Sequence, residues 1–404
     1  MSMSIVATLS PLLFSTFNGS YGISFTLLGL LVLVNFCTQL IVDLLFSFFS
    51  HKFNIPLAVK ITPVLTVVGL IVYSLAPVIF AKNIYLGLVI GTVIFSSASG
   101  FAEVLISPVI ATIPSDNPDR QMSMLHSIYA WGVIVVVIIS TLFLHFLGQD
   151  KWQYLAIGLA IIPLISAILF AGVKIPEMQS PEKVSKVFEM FKRKEVWLCV
   201  IAIFLGGASE CSMAQWSSSY IEQSLGLPKI WGDICGVAFF SLMLAFGRTL
   251  YAKTGKNIES FLLFGAIGAS VCYLVATFVN VPVIGLIACG VSGFCVSMMW
   301  PGSLVVASNK VKDGGVFIFA LMAAGGDLGG SIGPQLIGAV TDMVAVNPSA
   351  ISLAQNLGLT ATELGLKAGM AVASLFPIIA VFVFLHIYKS AKKQKLSKNL
   401  SKEI

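Results

Sequence analysis

Runs of about 20 apolar residues, long enough to cross a bilayer as a helix, recur along almost the whole chain and limit it more than any other feature. Twelve are marked out, at 2–18, 25–49, 57–81, 84–113, 122–147, 153–174, 196–221, 231–252, 259–280, 281–308, 315–342 and 366–388. Six lie on each side of a polar stretch at 176–195. With 57% hydrophobic and 10% charged residues, the composition is that of a polytopic membrane protein rather than of a soluble core. The expected fold is all-α, with 1–175 as a first six-helix bundle, 176–195 as a linker, 196–390 as a second bundle and 391–404 as a basic tail without fixed structure.

The formal charge of +6 calls for an explanation. Nucleic-acid binding needs a basic face on a folded domain, whereas these cations sit in short loops between apolar runs. Placing alternate loops on opposite sides of the bilayer leaves only Lys82, Lys151, Lys229 and Lys367 of the 24 Lys and Arg residues on one side. The other side, with the linker and the C-terminal tail, is therefore expected to be cytoplasmic, in a cytoplasmic (inner) membrane. Within the linker, Val184, Val187, Phe188 and Phe191 are spaced for one apolar face among lysines, which predicts an amphipathic helix at the interface. The first run begins at Met1 without a basic flank, so a spanning helix short of part of its cytoplasmic end is expected. Trp152, Trp197 and Trp231 near run ends are expected as interfacial anchors. Seven cysteines without a C-x-x-C suggest neither a disulfide framework nor a metal site, and no cofactor is expected.

Polar residues inside the runs carry the functional argument. An acid or base at the centre of a spanning helix costs about 2.5–3.5 kcal/mol on insertion scales, so such residues face a protein interior or a water-filled cavity. Glu103 interrupts the fourth run, either as a site residue or as a buried partner of Arg248 or His126. Asn35, Gln39 and Asp43 follow one another at i, i+4 and i+8 on one stripe of the second helix, which should face inward. His126 and Tyr129 share a face of the fifth, followed by Trp131. The seventh holds Glu210 with Gln215, Trp216 and Ser217, a mixture suited to a polar organic ligand with apolar faces. Trp300 precedes Pro301 in the tenth, where a break in the helix is expected. Asp327 lies in a glycine-rich eleventh helix with Ser331 on its face, and Thr360 with Glu363 has capping-box spacing before the twelfth.

Two six-helix halves around a midplane site is the arrangement of major facilitator transporters. One trace of internal repetition supports it, since Tyr21-Gly22 to Asp43 matches Leu225-Gly226 to Arg248 in spacing within a residue. The chain resembles that superfamily over its length, and within it the fucose-permease-like branch of sugar:proton symporters. The resemblance is carried by Glu103 to Pro108, similar to an E-x-x-x-x-P signature, by Gly247-Arg248, by Ser297 to Pro301, and by Gly325, Gly326, Pro334, Gly338 and Asp342. It implies that Glu103 couples proton binding to substrate binding and that the halves rock to give alternating access. The branch's other coupling acid, in the first helix, has no counterpart here; Asp43, Glu210 and Asp327 are present instead.

The expected function is uptake of a small polar solute, most plausibly a sugar, by proton symport, with a monomer in the bilayer. Glu103, Glu210, Asp327, His126 and Asp43 are the proton-coupling candidates. Asn35, Gln39, Tyr129, Trp131, Gln215, Trp216, Ser217 and Trp300 are the candidates for solute contact, and Gly247, Arg248, Pro301, Gly325, Gly326 and Pro334 for conformational change. One alternative keeps the fold and exports drugs or lipophilic cations against protons. A non-transporting receptor is another, for which the tail is too short. A membrane enzyme would need clustered catalytic residues, and the histidines are far apart.

Overall fold

The computed structural model describes residues 1–49, 54–112, 118–175, 192–254, 257–279, 281–311 and 315–403. The linker segment 176–191 lies outside the described residues, as does the expected interfacial helix there. Twelve membrane-crossing elements follow in chain order. They are α1 (2–21), α2 (Phe25–Phe49), α3 (55–79), α4 (Ile84–Thr112), α5 (Pro118–Leu147), α6 (149–171), α7 (Lys194–Gln223), α8 (229–254), α9 (Ile258–Phe278), α10 (282–310), α11 (Gly315–Ala345) and α12 (361–403). Among the described residues nine helices are long and apolar enough to cross a bilayer, a tenth is bent by 84° into Pro348–Asn356, and two shorter apolar helices lie in α1 and α5. The boundaries follow local chemistry. Asn54 caps α3, and Thr360 with Glu363 forms the expected capping box before α12. Gly22 and Gly226 end α1 and follow α7 with φ of 63° and 65°, in the left-handed region that favours glycine. The repeat seen in the sequence thus returns as one turn used twice.

Three expectations change. The tail, expected to lack structure, continues the last helix to Glu403, because Ala, Leu, Gln and Lys favour helix and cations suit its C-terminal end. Trp152 is not an interfacial anchor: it is 1% exposed, packs on Phe17 and Tyr73, and donates its indole N–H to Tyr21 Oη at 3.0 Å. Its end of α6 sits inside the aromatic cluster of the first half, whereas Trp197 and Trp231 are exposed. The break in α10 falls at Ser297–Met298, ahead of Trp300. Pro301 has no N–H for the Ser297 carbonyl four residues earlier, so the ladder opens there.

Among the described residues the halves meet along three main helix pairings. Helices α2 and α11 run against each other over much of their length, α1 packs on α7, and α5 packs on the start of α8. Among the described residues, contacts joining the halves gather from mid-depth to the side away from the linker. They run from Cys37–Ser331, through Phe14 and Phe25 stacked around Trp216, to Gln215, Ser15, Gln223 and Ser219 between α1 and α7. That side is closed.

Candidate functional site

The site is built where α2, α4, α5, α7, α8 and α11 converge at mid-depth. Ser96 of α4 donates to Asn35 Oδ1 of α2 at 2.5 Å, and the missing side chain of Gly100 lets α4 lie against Val42 and the Gln39 carbonyl. Glu103 is one heptad beyond Ser96, so it shares the face turned to α2. There it meets Asp43, one turn beyond the buried Gln39; Asn35 and Gln39 are each 7% exposed. Glu103 is nonetheless exposed, and Asp43 half-buried. In a spanning helix whose other face packs on neighbours, such exposure belongs to an aqueous opening between the halves.

From the other half comes Asp327, 3% exposed and within electrostatic reach of both Asp43 and Glu103. One oxygen each of Asp43 and Asp327 is buried without a hydrogen-bond partner. A buried anion without partners is costly, so this group of three carboxylates is stable only when protons or a cation reduce its charge. Among the described residues no group of three or more His, Cys, Asp or Glu is arranged to hold a metal ion.

The fourth acid is treated differently. Glu210 pairs with Arg248, whose terminal nitrogen reaches the two carboxylate oxygens at 3.1 and 3.3 Å. Arg248 is itself fixed by the break in α10, since its Nε donates to the Ser297 carbonyl freed by Pro301, at 3.1 Å. Gly247 permits this approach, because a Cβ there would strike Ser297. Tyr129 of α5, half-buried, is within electrostatic reach of Glu210, Arg248 and Glu103 and so stands between the two acid groups. Trp300 lies against Gly207 and Gly326, with Gly325 beside Val200 and Ile203, so the glycines make room for an indole where α7, α10 and α11 meet.

Several expected residues lie elsewhere. Trp131 is 62% exposed on the same outward stripe as Ile138 and Leu142, roughly opposite Val133 and Val136 which face the core. Trp216 is fully buried between Phe14 and Phe25 and donates to the Pro334 carbonyl at 2.9 Å, so it wedges the halves rather than lining the opening. Ser217 is fully buried against Gly236 of α8, and the Gln215 amide donates to the Ala7 carbonyl at 3.3 Å. His126 belongs to α5, but its side chain lies outside the described residues. Two acids were not singled out as site candidates. Asp233 of α8 is 1% exposed and takes Lys229, Ser218 and Thr141 as partners; the i, i+4 spacing of Lys229 and Asp233 was the available signal. Asp342, noted only as the last letter of a motif, accepts from two backbone amides of α2.

Comparison with known proteins gives the same architecture. Three solved structures share it. A D-xylose-proton symporter is 16% identical, with 93% of this chain and 96% of that one covered at a TM-score of 0.69. A variant of the nucleoside transporter NupG is 11% identical, covering 95% and 98% at 0.70. The transporter FucP in its outward conformation is 16% identical, covering 94% and 96% at 0.55. At these identities the likeness shows the fold alone. No curated protein matches the chain. The model of the family described as Major Facilitator Superfamily matches residues 1–334. With twelve helices in two bundles and a match over most of its length, the chain belongs to the Major Facilitator Superfamily and is a membrane transporter, not an enzyme.

Proposed function

We propose that the protein takes up a small polar solute, in the first instance a sugar, by proton symport, and that it belongs to the fucose-permease-like branch. The observation that carries the coupling is the exposed Glu103 beside Asp43 of its own half and within electrostatic reach of Asp327 from the other. Closing the linker side brings these carboxylates together in a medium where like charges repel strongly. A proton on Glu103 removes that barrier for the loaded carrier. The empty carrier needs another neutraliser. Arg248 supplies it, for a guanidinium has five N–H donors and Tyr129 already stands between it and Glu103. Amides of Asn35 and Gln39 and the rings of Tyr129 and Trp300 suit the hydroxyls and apolar faces of a sugar. Two of the neighbours, the D-xylose-proton symporter and the nucleoside transporter, bear names consistent with polar, hydroxylated solutes.

The lysine bias supports a cytoplasmic linker and tail in an inner membrane. The conformation described is then the one open to the cytoplasm. We take residues 1–175 and 196–390 as the units that rock, within a monomer. In proteoliposomes with an imposed pH gradient, Glu103→Gln should abolish accumulation while exchange of bound solute persists; accumulation at the wild-type rate removes Glu103 from the mechanism.

A second reading is favoured by the three carboxylates whose described cationic neighbour, Arg248, is already engaged by Glu210. That balance suits export of a cationic solute against protons. Inhibition of transport by lipophilic cations but not by sugars selects it.

A further inference from the structure

The end of the molecule away from the linker is shut by several contacts, and one of them has no part in proton coupling. Asp342, in the last turn of α11, reaches across to the other half and presents both carboxylate oxygens to the start of α2. Its Oδ1 accepts from the Phe25 amide at 3.1 Å and its Oδ2 from the Thr26 amide at 2.6 Å. The first amides of a helix have no partner within it and carry partial positive charge, so an anion placed there is bound by hydrogen bonds and by the helix dipole together. The local cap of α2, Ser24 Oγ, serves a different amide, that of Leu27 at 3.3 Å. The two amides before it are thus satisfied by a residue more than 300 positions away in the chain.

The surroundings fix α11 in this register. One turn before Asp342, Gly338 allows the Phe25 carbonyl to touch the backbone of α11; a Cβ there has no room. Further along the same pairing Gly29 meets Gln335 and Pro334 at distances of 3.0 to 3.2 Å from an added Cβ. Backbone lies on backbone, so the carboxylate arrives at the amides without a flexible tether.

We propose that Asp342 is a latch between the halves, a carboxylate clasped on a helix N-terminus that holds the transporter closed on the side away from the linker and parts each time it opens there. Opening hands the carboxylate and the amides to water at the mouth of the molecule, where both are solvated, so the latch is reversible. Its strength sets how much of the protein rests open to the linker side. This role requires only the fold, and it stands or falls separately from the assignment of Glu103.

The test measures the distance between nitroxide labels at Ser20 and Val346, both exposed and on opposite halves of the closed mouth, in full-length protein whose native cysteines have been replaced. Asp342→Ala should raise the population with the mouth open by about tenfold or more, the scale of a lost charge-assisted hydrogen bond. Asp342→Asn, which keeps an acceptor and loses the charge, should give a smaller shift in the same direction. Thr26→Pro removes one donor at a helix start that tolerates proline while leaving the carboxylate in place, and it should also favour the open mouth. It decides the matter if the Asp342 variants do not fold. A lowered melting temperature with a distance distribution unchanged from wild type in the variants that fold overturns the latch and leaves Asp342 a structural cap. Solute access from the side of the mouth should rise in parallel with the open population.

Discussion

Two of the seams between the halves, α2 against α11 and α5 against α8, occupy equivalent places in a chain of two six-helix halves. They are closed by different chemistry. In the first seam the charge crosses: Asp342 of one half is held by amides of the other, and glycines at 29 and 338 let the backbones approach. In the second the charge stays at home. Asp233 sits on a π-helical stretch, Gly232–Ala238, and is neutralised by Lys229 of its own helix at 2.9 Å. Ser218 of the same half donates to it as well, and only the Thr141 hydroxyl, at 3.2 Å, reaches it from α5. Around it lies an apolar cluster of Val133 and Val137 from α5 and Val237 and Ala238 from α8, with Leu12 of α1 and Tyr129 packed against it. The difference teaches where the molecule resists parting. Separating α5 from α8 gives up one hydroxyl donor to a carboxylate that stays paired with Lys229 and Ser218 of its own half, whereas separating α2 from α11 strips a carboxylate of both backbone amides. With the proposed latch, the resistance to parting sits in the first seam.

The sharpest way to break this comparison is to remove the local counter-ion. In Lys229→Met, Asp233 keeps its burial and loses its cation, and the protein should lose about 3–5 kcal/mol of stability, read as a large fall in melting temperature in detergent. A small fall would mean that Asp233 is held mainly across the seam. Next in size, Gly338→Ala pushes a methyl group onto the Phe25 carbonyl and should cost about 1–3 kcal/mol. The same substitution should open the mouth in the distance measurement, since it separates Asp342 from its amides. The smallest effect belongs to Thr141→Val, worth about 1 kcal/mol or less, with the distance distribution of the labelled mouth unchanged. A shift as large as that of Asp342→Ala would show the two seams to be equal partners.

The architecture was legible because twelve apolar runs and a one-sided lysine bias are properties of composition along the chain. The acids were legible for a related reason: a carboxylate in hydrocarbon needs a use wherever its neighbours turn out to be. The aromatic residues were not. Trp216 and Trp300 look alike beside polar residues in sequence, yet one wedges the halves and the other fills a space left by glycines at a helix junction. Trp131 was within reach of helix geometry alone, since two positions from Tyr129 is about 200° around the axis and puts them on opposite faces. Asp233 escaped notice, and Asp342 was read only as part of a motif, because acids near span ends ordinarily meet water. For Asp233 the i, i+4 lysine was a local signal, but the partner of Asp342 is a backbone more than 300 residues away, which no local pattern encodes. Arg248 was weighed as a partner of Glu103; it pairs with Glu210 instead, and its hold on Ser297 depends on a carbonyl that Pro301 leaves idle.

That idle carbonyl ties mechanics to electrostatics. A kinked rod bends at its joint, and here the joint is fastened to the guanidinium that balances Glu210. Flexing α10 therefore displaces a positive charge, and moving that charge strains α10. With the solute contact proposed for Trp300, three residues beyond the joint, this linkage gives occupancy a lever on the charge balance of the chamber without touching an acid.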